Sequence, residues 1–86
     1  MEISVDISLY PLQENYERAI LEFIDKLEKE PSIKVVRNEL STQIHGEYRT
    51  IMRLLEDEIF SVFTKIPHSV FVLKIVGNNR VGLYGI

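Results

Sequence analysis

Short polar side chains alternate with aliphatic ones in two segments of this chain, and they are the residues best suited to ligand chemistry. They are Ser4, Asp6 and Ser8 in the first segment, and Ser41, Gln43 and His45 in the second. Hydroxyl, amide, imidazole and carboxylate groups can donate to and accept from the polar atoms of a small molecule. Because so few of them are charged, the set favours a surface that contacts a ligand or another subunit over a purely solvated one.

Patterns for catalysis and metal binding are weak. The chain has no cysteine, and His45 and His68 have no acidic residue at metal-ligand spacing. Ser41 and His45 do not make a catalytic pair, because four residues along a strand separate side chains by about 13 Å. No glycine-rich phosphate loop is present. We therefore expect a protein that is not an enzyme and needs no metal or cofactor.

Length and charge narrow the class further. Eighty-six residues, 45% of them hydrophobic, predict one globular domain over residues 1–86. Ten basic against thirteen acidic residues give a net charge of −3, which argues against nucleic acid as a partner. No apolar stretch is long enough for a membrane span, and an acid, Glu2, stands where a signal peptide is basic. A cytoplasmic location without membrane insertion is expected.

Hydrophobic periodicity predicts the elements that position these residues. Period-two alternation and β-branched runs predict strands over residues 3–9, 33–37, 40–45 and 69–76, and apolar stripes predict helices over about 14–29 and 47–65. Gly46 is expected to break the third strand and open the second helix. Arg80 to Tyr84 is an optional fifth, short strand that would serve assembly.

The order β-α-β-β-α-β with right-handed crossovers predicts an α+β, ferredoxin-like fold. Its antiparallel sheet would carry both helices on one face, with strands one and three central and the last long strand beside strand one. Phe71, Leu73 and Ile75 would then face the helices. Asp6 and Lys74 would be neighbours on the free face, either as an ion pair or with Asp6 accepting a hydrogen bond from a ligand.

Oligomerisation is expected because the core is small and no disulfide bonds stabilise it. The free face also carries Val70, Val72 and Val76, which favour contact with another copy. A homo-oligomer, dimer or tetramer, is the prediction.

Two motifs carry a family resemblance. Ser8-Leu9-Tyr10-Pro11-Leu12 closes the first strand, and Leu40-Ser41-Thr42-Gln43-Ile44-His45-Gly46-Glu47 follows about thirty residues later. Together they resemble the YkoF-like family of thiamin and hydroxymethylpyrimidine-binding proteins. The resemblance implies a ferredoxin-like fold, a non-catalytic role in thiamin uptake or salvage, and a site that includes Ser8, Tyr10, Ser41 and Thr42.

An aminopyrimidine needs a few fixed donors and acceptors and an aromatic surface on which to stack, which hydroxyls and Tyr10 can supply. Asp6 is added as an acceptor from the sheet face that also carries Ser8. Thr42 has the parity of a residue that faces the helices, whereas Ser41 has the opposite parity. The alternative function is a regulatory or assembly module that oligomerises and binds a different small effector.

Overall fold

The computed structural model describes residues 1–82 and shows the α+β, ferredoxin-like architecture that the sequence predicts. Its elements are β1 (Glu2–Tyr10), α1 (Tyr16–Glu28), β2 (Lys34–Arg37), β3 (Thr42–Glu47), α2 (Tyr48–Lys65) and β4 (Val70–Val76). All neighbouring strands are antiparallel, in the order β2-β3-β1-β4. Strands β1 and β3 are therefore central and β4 flanks β1, as predicted.

The alternation in β1 determines which side of the sheet is buried. Its odd-numbered aliphatic side chains are almost fully buried, whereas Asp6 and Ser8 on the other face are only half-buried. Those odd positions pack with apolar residues of α1, β3 and α2. The resulting core consists of Ile3, Val5, Ile7, Leu9, Phe23, Ile24, Leu27, Ile44, Ile51 and Leu55. Both helices thus cover one face of the sheet and leave the other free.

Strand β3 differs from its predicted bounds at both ends. It begins at Thr42 because the side chain of Asn38 accepts hydrogen bonds from the backbone N–H groups of Leu40 and Ser41, holding these residues in a loop. Leu40 is consequently 89% exposed. At the other end, Gly46 does not break the strand but lies within it.

Glycine is needed at position 46 because another side chain packs closely against its backbone, and not because the chain turns there. A Cβ atom at this position would lie 2.9 Å from Ile33 Cγ2, which is closer than packed carbon atoms allow. The next residue, Glu47, caps α2 through a carboxylate oxygen that accepts from the N–H groups of Arg49 and Thr50. The hydrogen bond from Arg49 is the main reason that the pKa of Glu47 lies below its ordinary value.

The edge strand β4 is less covered than predicted. Phe71 packs as expected, with its ring centroid 5.2 Å from that of Phe23 and 5.4 Å from that of Phe63. Leu73 and Ile75, however, are 38% and 48% exposed, because the helices pack over the central strands and leave the edge open. The prediction that these two side chains enter the core was therefore wrong for the isolated chain.

Beyond β4, the chain turns back toward the sheet. Residues 80–82 form no strand, and Leu83 and Tyr84, which complete the optional fifth strand, lie outside the described residues. Neither α1 nor α2 combines the length and hydropathy of a bilayer-spanning helix.

Candidate ligand-binding site

A cavity of about 510 Å³ opens where β1 ends and β3 begins, next to α1. We call it the strand-end cavity. Its lining includes all four residues that the two sequence motifs share with the family: Ser8, Tyr10, Ser41 and Thr42. Antiparallel pairing of Ile7 with Thr42 places the end of β1 beside the start of β3, so that segments distant in sequence line one space.

The walls of the strand-end cavity are mostly apolar. Its inner wall is formed by the helix-facing side chains of Ile7 and Leu9 in β1 and by Ile20, Phe23 and Ile24 of α1. Tyr10 and Tyr16 are both about half exposed, and both line the cavity. Among the described residues that line it, Glu39 alone is charged. The size and composition suit a small, partly aromatic ligand, and the charge favours a neutral or cationic one.

Thr42 and Ser41 point in different directions, as their sequence parity predicts. Thr42 is only 5% exposed and shares the helix-facing side of β3 with Ile44. The Ser41 hydroxyl instead donates to Asp6 Oδ1, which lies on the free face of the sheet, at 2.7 Å. Both residues nonetheless line the cavity because they lie at its edge, where the strand begins.

Asp6 lies behind the strand-end cavity rather than in its lining. Its Oδ1 atom accepts from Ser41 and also from Gln43 Nε2, at 2.6 Å, and the same Gln43 nitrogen lies 2.9 Å from Ser41 Oγ. Lys74 is its directly opposed partner on β4, as predicted, but the two groups form no ion pair within 4 Å. In this structure Asp6 positions Ser41 through a hydrogen bond.

A second cavity, of about 590 Å³, lies on the free face of the sheet, and we call it the sheet-face cavity. Asp6 and Gln43 line it together with Ser4, His45 and Lys34. No group of three or more His, Cys, Asp or Glu side chains suited to a metal ion is found within residues 1–82.

One pair of residues in the sheet-face cavity was not predicted as a pair. Ser4 Oγ lies 2.7 Å from His45 Nδ1, and these residues are direct cross-strand partners. The backbone N–H of Arg80 donates to the same Ser4 oxygen at 2.7 Å. Burial, and then the charge of Lys34, lower the pKa of His45 below its ordinary value. A neutral imidazole can accept from the Ser4 hydroxyl at Nδ1, which leaves the proton on Nε2.

The Ser4–His45 pair has the residue types of a nucleophile and base, and in this structure it also contacts the segment after β4. Ser4 is buried, its oxygen accepts from the Arg80 N–H, and its hydroxyl lies within hydrogen-bond distance of His45 Nδ1. This contact ties the segment after β4 to the sheet. Sequence alternation placed both residues on the free face, but their link to Arg80 depends on the path of the tail.

The family model of the YKOF-related family matches residues 2–79, and the chain belongs to that family. A search of functionally curated proteins finds no match.

Three solved structures of similar fold come from two bacteria and an archaeon. Protein SP2199 of Streptococcus pneumoniae is 19% identical, with a TM-score of 0.84 over 96% of this chain and 93% of that one. A candidate thiamine biosynthesis/salvage protein of Thermotoga maritima is 20% identical, with a TM-score of 0.79 over 88% and 83%. A hypothetical protein of Methanocaldococcus jannascii is also 20% identical, with a TM-score of 0.77 over 91% and 81%. At these identities the likeness shows the fold alone.

Proposed function

We propose that this chain is a non-catalytic binding protein for thiamin or its hydroxymethylpyrimidine moiety, that it acts in thiamin uptake or salvage, and that the ligand occupies the strand-end cavity. The observation that carries the proposal is the lining of that cavity, where Ser8 and Tyr10 of one motif meet Ser41 and Thr42 of the other. Membership of the YKOF-related family supports it, as does the fold shared with a candidate thiamine biosynthesis/salvage protein.

The chemistry of the cavity matches the two rings of thiamin. The aminopyrimidine would lie against the apolar inner wall, with the hydroxyl of Thr42 available to its amino group and ring nitrogens, and Ser8, whose side chain has the free-face parity, would border it at the end of β1. The thiazolium is a cation, so the rings of Tyr10 and Tyr16 and the carboxylate of Glu39 would attract it. Free hydroxymethylpyrimidine would make only the first set of contacts and would bind more weakly.

Calorimetric titration of the full-length protein with thiamin and with hydroxymethylpyrimidine tests the proposal. Saturable binding of both, with thiamin tighter, is the expected result. Tyr10→Ala should weaken thiamin binding several-fold, since an aromatic contact contributes about 0.5–1.5 kcal/mol beyond its burial. Tyr48→Ala is the matched control, because Tyr48 is also partly exposed but lies on α2, away from the cavity.

Together, the titrations and the two variants test separately whether the chain binds thiamin and whether thiamin binds in the strand-end cavity. No heat and no thermal shift with either compound would refute thiamin binding by this chain. Saturable binding that Tyr10→Ala leaves unchanged would keep the function and reject the strand-end cavity as its site. Equal weakening by Tyr10→Ala and Tyr48→Ala would indicate a general loss of stability rather than a lost contact.

A second function, assembly, is favoured by the open edge of β4. Its apolar side chains are exposed on both faces of the strand, at Val70, Val72, Leu73, Ile75 and Val76. An edge of this kind can pair with another copy of the chain, and a dimer or tetramer would bury these residues. Light scattering should then give a mass above the 10.0 kDa of one chain, and Ile75→Lys should reduce it.

A further inference from the structure

We propose that the sheet-face cavity is a second site, separate from the strand-end cavity, which binds a small organic anion with a phosphate or carboxylate group. This cavity of about 590 Å³ lies on the opposite side of the sheet from the helices. Neither the family motifs nor the proposed thiamin site uses its cationic residues.

Positive charge converges on this cavity from three segments of the chain. Lys34 projects from β2, Lys74 from β4, and Arg80 from the segment that follows β4. Within residues 1–82, none of these three has a carboxylate within 4 Å. The whole chain has a net charge of −3, so this surface reverses the sign of the protein around it.

Few negative groups lie near the cavity. Asp6 lines it, but one oxygen of that carboxylate accepts hydrogen bonds from Ser41 and Gln43. Glu2, on the same strand, accepts from Asn79 Nδ2 at 3.0 Å and does not line the cavity. Three cations against one lining carboxylate leave a net positive charge for a ligand to neutralise.

His45 adds a directional donor. Its side chain lines the cavity and is only 9% exposed, and its Nδ1 atom is occupied by Ser4. Its Nε2 atom has no hydrogen-bond partner within the described part of the chain and is not among the fully buried unpartnered atoms, so the cavity can reach it. When Nδ1 accepts from Ser4, the proton lies on Nε2, which can donate to an acceptor oxygen of a ligand.

Apolar lining residues indicate an organic ligand rather than a bare ion. Val36, Val76 and Val81 form part of the cavity, which is much larger than a phosphate group. Val81 and Arg80 are held over the sheet because their backbone N–H groups donate to Asn79 Oδ1 and Ser4 Oγ, respectively. The site therefore combines three cationic side chains with an apolar wall for the body of the ligand.

The test uses phenyl phosphate and benzoate as anionic probes, benzyl alcohol as a neutral probe of similar size, and inorganic phosphate. Titration of the full chain at low ionic strength should give saturable binding of at least one aromatic anion and none of benzyl alcohol. Comparing phenyl phosphate with benzoate shows whether phosphate or carboxylate is preferred. Inorganic phosphate should bind more weakly than phenyl phosphate.

The charge contribution is tested with two matched double variants. Lys34→Gln combined with Lys74→Gln should weaken anion binding by about tenfold or more, since each lost charge-assisted contact is substantial. Lys29→Gln combined with Lys65→Gln removes the same charge from exposed lysines outside the cavity and should have little effect. In the unaltered protein, the anion should also shift the NMR resonances of the His45 ring.

Three outcomes would overturn this proposal. They are no saturable binding of either aromatic anion, equal weakening by the two double variants, and binding without a change at His45. Thiamin binding can succeed or fail independently, because Lys34 and Lys74 are absent from the lining of the strand-end cavity.

Discussion

Ser41 donates a 2.7 Å hydrogen bond to the carboxylate of Asp6, although 35 residues separate them in the sequence. Both side chains lie on the free-face side of the sheet, but Ser41 also borders the strand-end cavity, whereas Asp6 lines the sheet-face cavity. Gln43 donates to the same carboxylate oxygen and holds it in place. The geometry of the motif at the start of β3 thus depends on a carboxylate behind it.

Asp6→Asn should weaken thiamin binding through Ser41 rather than through a lost ligand contact. The amide keeps the size of the side chain but removes the charge, and a hydrogen bond to a charged group contributes about 1.5–3 kcal/mol. We expect a several-fold loss of affinity, with NMR shifts at the backbone amides of Ser41 and Thr42 before any ligand is added. Asp57→Asn, at an exposed position of α2, is the control. Weaker binding with no change at these amides would instead point to direct contact between Asp6 and thiamin.

Thr42→Val tests the buried hydroxyl in the strand-end cavity. Valine has nearly the same shape, so the β3 strand and its packing should persist. Losing one hydrogen bond to the ligand should cost about 0.5–1.5 kcal/mol, a two- to twelvefold loss of affinity in calorimetric titration. Thr64→Val removes a hydroxyl on α2 that donates to the carbonyl of Phe60, away from the cavity, and should leave affinity unchanged. Unchanged binding by Thr42→Val would remove this hydroxyl from the site.

Ligand charge should decide affinity at the strand-end cavity. Glu39 is the charged residue of its described lining, so thiamin should bind more tightly than thiamin monophosphate, whose phosphate meets no cation there. Glu39→Gln should reduce this difference in affinity, because it should weaken the binding of thiamin and strengthen the binding of thiamin monophosphate. Glu56→Gln, on an exposed position of α2, is the matched control. Tighter binding of the monophosphate by the unaltered protein would contradict this arrangement.

Gly46→Ala should destabilise the fold. The added Cβ would meet Ile33 Cγ2 at 2.9 Å, and overpacking of a well-packed site typically costs about 1–3 kcal/mol. Gly77→Ala is the control, since a Cβ there has no atom within 4 Å. The double variant with Ile33→Ala should recover part of the loss, measured by urea unfolding. Equal stability of the Gly46 and Gly77 variants would show that Ile33 moves aside at little cost.

The strand pattern explains why the sheet could be predicted from the sequence. Alternation in β1 separates the apolar Ile3 and Val5 from the polar Ser4 and Asp6. In the structure the two sets lie on opposite faces of the sheet, as the alternation predicts. The meeting of Ser8 and Tyr10 with Ser41 and Thr42 follows from antiparallel neighbours in a known fold, which is why one cavity contains them. These features depend on local periodicity and on strand order.

Features that depend on how far the helices cover the sheet, or on the path of a loop, could not be predicted from the sequence. The exposure of Ile75 reflects how far the helices extend over the sheet, which hydrophobic periodicity does not encode. Glycine is a residue type that often interrupts strands, but the role of Gly46 depends on Ile33, thirteen residues earlier in the chain. The link from Arg80 to Ser4 requires the tail to return across the sheet, a contact between residues 76 positions apart.

The burial of His45 should make stability depend on pH near the ordinary histidine pKa. Burial, with a further contribution from Lys34, lowers the folded-state pKa below the ordinary value of 6.5. As the pH falls through that value, the unfolded chain takes up a proton that the folded chain refuses, so the free energy of unfolding decreases. The decrease should end once the pH passes below the folded-state pKa of His45. Urea unfolding measured between pH 7.5 and 4.5 would show this slope, and His45→Asn should remove the part due to this residue. Lys34→Gln should raise the pKa of His45 in an NMR titration, whereas Lys29→Gln should not. An NMR pKa for His45 at or above 6.5 in the unaltered protein would contradict the role of burial.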